Sequence, residues 1–506
     1  MALPKIRVPH LFPSTPAAVR KWLVSILLFL VAWLFRKAYL QELSVYLLYP
    51  DTAEYFEAAR RLAAGQVDLM RMPVYSLFMA VISWLTGREI GSDAFVEAVA
   101  WAQRFLSSVG VVCLYHAMRA LWQPVVRSEN LSGSPGIVSA GLAGLAGLPA
   151  LLAALVCAVH PAIVNWDFLI LTESLTLFLY MMLFCAAARY LRGRSTASLV
   201  AGFLLSGVLL FIKPFYLPLP LMLLGLLGIW FLPGGNWRTS LRHIVLAGSL
   251  VVFIYTLLGG YVILNGRQNG YYGITGVSGI NSFGKILQYR MVELGEDGLI
   301  KDRVLSGKQP YWVDPNPLGF ALEHGYDQDN YAQLKTFAGD IIRKYPFRFV
   351  MATARCFLGD MRHYSWMADY CARVYVTGDA SWPAALYRLL GGSRAVNRYQ
   401  VLYGLLLLQL AAIVLVEIRR RKKCSGAEKD PGTELTLHPG NSRIRILVFT
   451  LILFQCLMTL VGAHGEYHRL MAPVYFLIIY SYMDLAVLSA VWITNHFRAK
   501  KEPRQV

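Results

Sequence analysis

Charge is scarce in this chain of 506 residues: Asp, Glu, Lys and Arg make up 15%, apolar residues make up 56%, and the mean hydropathy is +0.47. No ordinary soluble domain has that balance. Acidic residues are the scarcer sign, 30 against 48 Lys and Arg, for a formal charge of +18. That excess does not point to nucleic acid, because the cations stand in short blocks between apolar runs instead of lining one face. They read as topological anchors that also meet anionic lipid heads. The seven cysteines include no CxxC pair and no Cys/His group at ligand spacing, which argues against a zinc module or a redox motif. Cys356 and Cys371 fall in a long loop where a disulfide is permitted.

Long hydrophobic runs are what the chain does have. Several approach or exceed the ~20 residues that cross about 30 Å of hydrocarbon. Spans are expected near 22–38, 100–122, 137–159, 168–190, 197–212, 217–233, 243–265, 399–418, 446–463 and 469–493. The first follows Arg20 and Lys21 and lacks a small-residue cleavage site, so it reads as a retained span. With the N-terminus in the cytoplasm, Arg119, Arg127, Arg192, Arg194, Arg238, Arg242 and the run from Arg419 to Lys423 all fall on that side. No internal repeat of the transporter kind is visible. The expected class is an all-α integral membrane protein of about ten spans in three parts. These are an N-terminal membrane module, 1–265, a large extracytoplasmic loop, 266–398, and C-terminal spans, 399–506, with a cytoplasmic linker at 419–445.

Two long segments fall opposite the cations, at about 39–99 and 266–398, and loops of that length are where function is expected. The first holds Asp51-Thr-Ala-Glu-Tyr55-Phe-Glu-Ala-Ala-Arg60-Arg61-Leu-Ala-Ala-Gly65, whose spacing suits an amphipathic interfacial helix. A carboxylate at a membrane surface is suited to accept a proton from a hydroxyl; a plain helix N-cap explains Asp51 equally well. Arg71-Met-Pro73-Val-Tyr75 follows and opens an apolar helix near 73–86. Further along, His160 to Phe178 carries Asp167 and Glu173, and Phe211-Ile-Lys213-Pro-Phe-Tyr216 forms a tight turn between apolar runs. The last span opens on Gly462-Ala-His464-Gly-Glu466-Tyr-His468-Arg469, where Glu466 and Arg469 share a helix face and either pair together or orient a ligand. His464 and His468, four apart, suit a metal but have no clear third ligand. The segment 266–398 mixes Gly/Asn-rich and charged stretches and reads as a small irregular cap.

These motifs together resemble the GT-C glycosyltransferases, in particular the branch holding protein O-mannosyltransferases and lipid A aminoarabinose transferases. The resemblance covers the first half of the chain and the final span. It implies a polytopic helical bundle with extracytoplasmic interfacial helices, acting as a glycosyltransferase in a bacterial plasma membrane with its site facing the periplasm or exterior. The donor would be a sugar on a polyprenyl phosphate, and the acceptor a hydroxyl of a glycan, lipid or protein. Asp51 and Glu173 would be the catalytic carboxylates. Arg71, Lys213 and Arg469 would bind the donor phosphate, and Tyr55, Tyr75, Asp167, Glu466 and His468 would touch substrate. No cofactor is implied beyond a possible divalent metal. The residue before Tyr55 is Glu54, where some relatives carry Arg, so the phosphate contacts do not transfer directly. Two other readings stand beside this one: a transporter or lipid flippase, and a ligase of the O-antigen type using a diphosphate-linked donor.

Overall fold

In the computed structural model the described residues are helical, apart from turns and a two-residue antiparallel ladder pairing Pro124–Val125 with Thr436–Leu437. The residues described are 16–42, 50–122, 136–231, 237–306, 317–326, 331–362, 440–462 and 467–501, with a few shorter pieces. The order is α1 (Pro16–Glu42), α2 (Pro50–Ala63), α3 (Pro73–Thr86), α4 (Asp93–Trp122), α5 (Gly136–Val159) and α6 (Pro161–Val164). Then come α7 (Thr172–Gly193), α8 (Thr196–Leu210), α9 (Leu219–Phe231), α10 (Trp237–Asn269), α11 (Val277–Gln288) and α12 (Leu299–Ser306). The rest are α13 (Pro317–Glu323), α14 (Tyr331–Lys344), α15 (Pro346–Arg362), α16 (Gly440–Gly462), α17 (Tyr467–Met471) and α18 (Tyr475–Lys501).

Among the described residues five helical segments are long and apolar enough to cross a membrane: Val19–Tyr39, Asp93–Trp122, Thr172–Gly193, Trp237–Asn269 and Arg469–Ala490. The chain is therefore a helical protein with the make-up of a membrane-embedded one. Ten spans were expected; of the other apolar helices among the described residues, Pro73–Thr86, Gly147–Val159, Thr196–Leu210 and Pro214–Ile229 are shorter. The expected span 399–418 and the linker 419–445 fall largely outside the described residues.

The main core packs α4 against α5 and α7, with α1 along α4 and α8 along α7. Gly110 lets α4 and α7 approach, since a Cβ there would sit 2.9 Å from the Met181 sulfur. Small residues at such crossings are how apolar helices gain contact when lipid is as apolar as they are. The outward faces of α1 and α10 expose Trp22, Leu23, Leu27, Val252 and Phe253. α3 is split lengthwise. Tyr75, Ser76, Met79 and Ile82 face the core, whereas Leu77, Val81, Trp84 and Leu85 face outward, as suits a helix lying at a membrane surface.

Arg36 and Arg445 each form a buried ion pair inside the bundle. Arg36 Nε donates to Asp167 Oδ2 at 2.6 Å, and Arg445 grips both oxygens of Asp484, which also accepts Trp122 Nε1 at 2.9 Å.

The large loop is not the irregular cap its composition suggests. Ile280, Phe283, Ile286 and Leu287 of α11 meet Leu334, Ala338 and Ile341 of α14 in a hydrophobic core of their own. Both helices are amphipathic, a pattern that scattered Gly and charged residues conceal when the segment is read whole. Cys356 of α15 borders both cores. Cys371 lies outside the described residues, and so does any pairing between the two.

Candidate active site

Proline sets the start of the first site helix. Pro50 stands in the first turn of α2, where its missing N–H costs nothing, and Asp51 beside it meets the positive end of the helix dipole. Gly65 turns the chain after α2 at φ +78°, a conformation glycine adopts without strain. Asp68 completes the bend. Its Oδ1 accepts the backbone N–H of Met70 at 2.8 Å and of Arg71 at 2.7 Å, an Asx turn that aims Arg71 back over α2. Thr275, just before α11, fastens the same bend by donating Oγ1 to the Met70 carbonyl at 2.7 Å.

The Arg71 side chain is thereby turned onto α2. Its Nη2 lies 3.0 Å from Asp51 Oδ1 and 2.8 Å from Glu54 Oε2, its Nε donates to the same Glu54 oxygen, and its guanidinium sits 4.5 Å over the Tyr55 ring. A second guanidinium arrives from the other end of the chain. Arg469 on α17 donates Nη2 to Asp51 Oδ2 at 2.8 Å and Nε to Glu173 Oε1 at 2.7 Å. Lys213, in the turn between α8 and α9, donates Nζ to that same Glu173 oxygen at 2.7 Å. Thr52 Oγ1, one residue past Asp51, donates to the Ile170 carbonyl at 3.1 Å and ties α2 to the turn that precedes Glu173.

The result is a compact group of opposite charges: Asp51, Glu54 and Glu173 against Arg71, Lys213 and Arg469. It is graded in access. The Glu173 side chain is sealed at 0% exposure, Arg469 reaches 6%, and the open end lies at Asp51, 29%, and Glu54, 36%. Burial pushes the Asp51 carboxyl up, but Arg469 and Arg71 outweigh it and hold its pKa at about 2. Burial likewise raises the Tyr55 and Tyr75 hydroxyls, so both stay protonated.

Such a site can bind an anion and, once the anion has drawn the cations away, leave a carboxylate free to take a proton. No protein-family model matches this chain, and no curated protein matches it significantly. The chemistry therefore rests on the site itself.

Of the residues singled out from sequence, Asp51, Tyr55, Arg71, Glu173, Lys213 and Arg469 come together. Lys213 turns in to Glu173. Two expected substrate contacts turn inward. Tyr75 is fully buried and its hydroxyl donates to Gln103 Oε1 at 2.8 Å, while Asp167 is fully buried with its carboxylate taken by Arg36 and by Ser174 Oγ at 2.8 Å. Neither faces an opening. Glu466 and His464 lie outside the described residues, and of His468 only its place in α17 is described. Arg469 turns to Asp51 and Glu173. Among the described residues no three His, Cys, Asp or Glu side chains gather as a metal would require. Sequence reasoning missed Glu54 as a partner of Arg71, and it missed Arg36, Gln103 and Gln455. The signal was available for the last three, since each is a polar residue inside an apolar run.

Proposed function

We propose that the chain is a membrane glycosyltransferase of GT-C type, with about ten spans, that moves a sugar from a polyprenyl monophosphate to a hydroxyl on the extracytoplasmic face. The observation that carries this reading is the meeting of Asp51 with Arg71, Lys213, Arg469 and Glu173, drawn from four distant stretches of chain. A donor phosphate entering at the Asp51 end competes with the carboxylates for Arg71 and Arg469. Guanidinium groups bind phosphate oxygens in pairs, so this exchange is geometrically easy.

The exchange also solves a problem of basicity. With its pKa held at about 2, Asp51 is a poor proton acceptor. Once phosphate occupies the guanidinium groups, that pull on Asp51 is relieved and its basicity rises. The acceptor O–H then loses its proton to Asp51 as its oxygen bonds to the anomeric carbon from the face opposite the phosphate. The C–O bond to the phosphate breaks, the electron pair leaves with the lipid phosphate, and the configuration inverts. Arg71, Lys213 and Arg469 stabilise the departing charge. Glu173 keeps Lys213 and Arg469 in place.

The test is transfer by purified protein in bilayer discs, offered matched sugar donors on polyprenyl monophosphate and diphosphate. Transfer from the monophosphate alone, lost by at least 100-fold in Asp51→Asn, is the expected result, the size being that of removing a general base. Retained transfer in Asp51→Asn removes the proposed base. A requirement for the diphosphate marks a ligase. Translocation of the donor with its sugar bond intact marks a flippase.

A further inference from the structure

Two glutamines in apolar helices make the same unusual connection. Gln103, buried in α4, accepts the Tyr75 hydroxyl on Oε1 at 2.8 Å and donates Nε2 to the backbone carbonyls of Leu169 at 2.9 Å and Asp167 at 3.3 Å. Gln455, buried in α16, accepts the Tyr180 hydroxyl on Oε1 at 3.0 Å and donates Nε2 to the backbone carbonyl of Leu470. An amide has one face that only accepts and one that only donates, so a tyrosine hydroxyl on the first fixes which way the second points. A side-chain amide in an apolar span is costly unless so satisfied.

The endpoints of these bridges are the segments that carry the site. Tyr75 packs edge-on against Tyr55, ring centres 5.1 Å apart, and Tyr55 is the platform under Arg71. Leu169 belongs to the turn that delivers Glu173. Tyr180 stands on α7, two turns past Glu173, and Leu470 is next to Arg469. The first bridge therefore sets the spacing between Arg71 and Glu173, and the second sets that between Glu173 and Arg469.

We infer that Gln103 and Gln455 are positioning residues for the proposed transfer. Each fixes the distance between Glu173, which holds Lys213 and Arg469, and a guanidinium that acts on the donor phosphate, and touches neither donor nor acceptor. This inference rests on the function proposed above. A shift of about 1 Å in such charges costs rate far more than binding, because the phosphate is held by several contacts but stabilised in the transition state only by well-aimed ones.

The experiment uses the full chain in bilayer discs, with donor KM and kcat measured for Gln103→Met, Gln455→Met, Tyr75→Phe and Tyr180→Phe and for each Tyr/Gln pair combined. The control is Trp122→Phe, which removes a buried hydrogen bond to Asp484 at the far end of the bundle. Expected is a fall in kcat of about 10-fold or more with donor KM within about 3-fold, no further fall when the two members of one bridge are combined, and an unchanged kcat in the control. Equal losses of thermal stability in the bridge and control variants, with kcat unchanged in both, would make the glutamines merely structural and overturn the inference. If variants fail to fold, the Tyr→Phe changes, which remove one oxygen each, keep it open to test. Full activity in Asp51→Asn refutes the proposed function and this inference with it; activity that needs Asp51 but ignores all four bridge residues refutes the inference alone.

Discussion

Asp51 is the residue on which most depends, and its behaviour in acid is fixed by its neighbours. Arg469 and Arg71 lower its pKa from 3.8 to about 2, so the folded protein binds a proton there less readily than the unfolded chain does. The stability this contributes is therefore fully present above about pH 4 and is lost as pH falls through about 2. In acid titration of the purified protein, Asp51→Asn should flatten the stability profile between those values by about 2 kcal/mol. A profile that keeps its full slope would mean that the carboxylate is not held by the two guanidiniums. The residue types at this site were readable from sequence because a carboxylate and cations beside membrane spans are rare enough to stand out. Their pairings were not. Nothing in the spacing shows that Arg469, some four hundred residues from Asp51, closes the cluster, or that Glu54 shares Arg71.

At the level of elements, the turn from α6 into α7 decides where Glu173 stands, and it is pinned by a charge pair inside the core. Arg36 donates to Asp167, to Ser107 Oγ at 3.0 Å and to the Ala158 carbonyl at 2.7 Å, so its five donors are largely used. Removing one partner leaves the other charge stranded. Arg36→Met should cost about 3–5 kcal/mol, read as a drop in melting temperature, and Arg36→Met combined with Asp167→Leu should recover most of it. Unchanged melting in the single variant would show that the pair carries no weight. Pro50, Pro73, Gly65 and Gly87 mark helix starts and ends legibly, because proline and glycine act through the backbone alone. By contrast, the partner of Arg36 and the core between α11 and α14 depend on which helices pack together, which local pattern does not encode.

For the whole molecule, the order of cations along the chain predicts which helix ends lie on which side. Asp51, Arg71, Glu173 and Arg469 gather at one end, and Trp122 at the end of α4 and Arg445 near the start of α16 meet Asp484 within α18, away from that cluster. In a cysteine-free background, single cysteines at Glu57 and Arg343, both exposed, should react with an impermeant maleimide from outside intact cells. One at Trp237 should react only after the membrane is opened. The reverse pattern would put the proposed site in the cytoplasm. The membrane character was the most legible feature of the sequence, since an apolar excess is a sum over many residues. The number of crossing helices was less so, because run length alone does not separate a full span from a shorter apolar helix.

The wide sequence separation of the charges also bears on how the protein is made. Lys213 is made about 40 residues after Glu173, but Arg469 leaves the ribosome roughly 250 residues later still, about 10–50 s at ordinary synthesis rates. During that interval the half-built chain carries three carboxylates, Asp51, Glu54 and Glu173, against two cations, Arg71 and Lys213. The last helix pair thus completes the electrostatics as well as the packing, and a chain cut short before it would hold an unbalanced site for quality-control proteases to find.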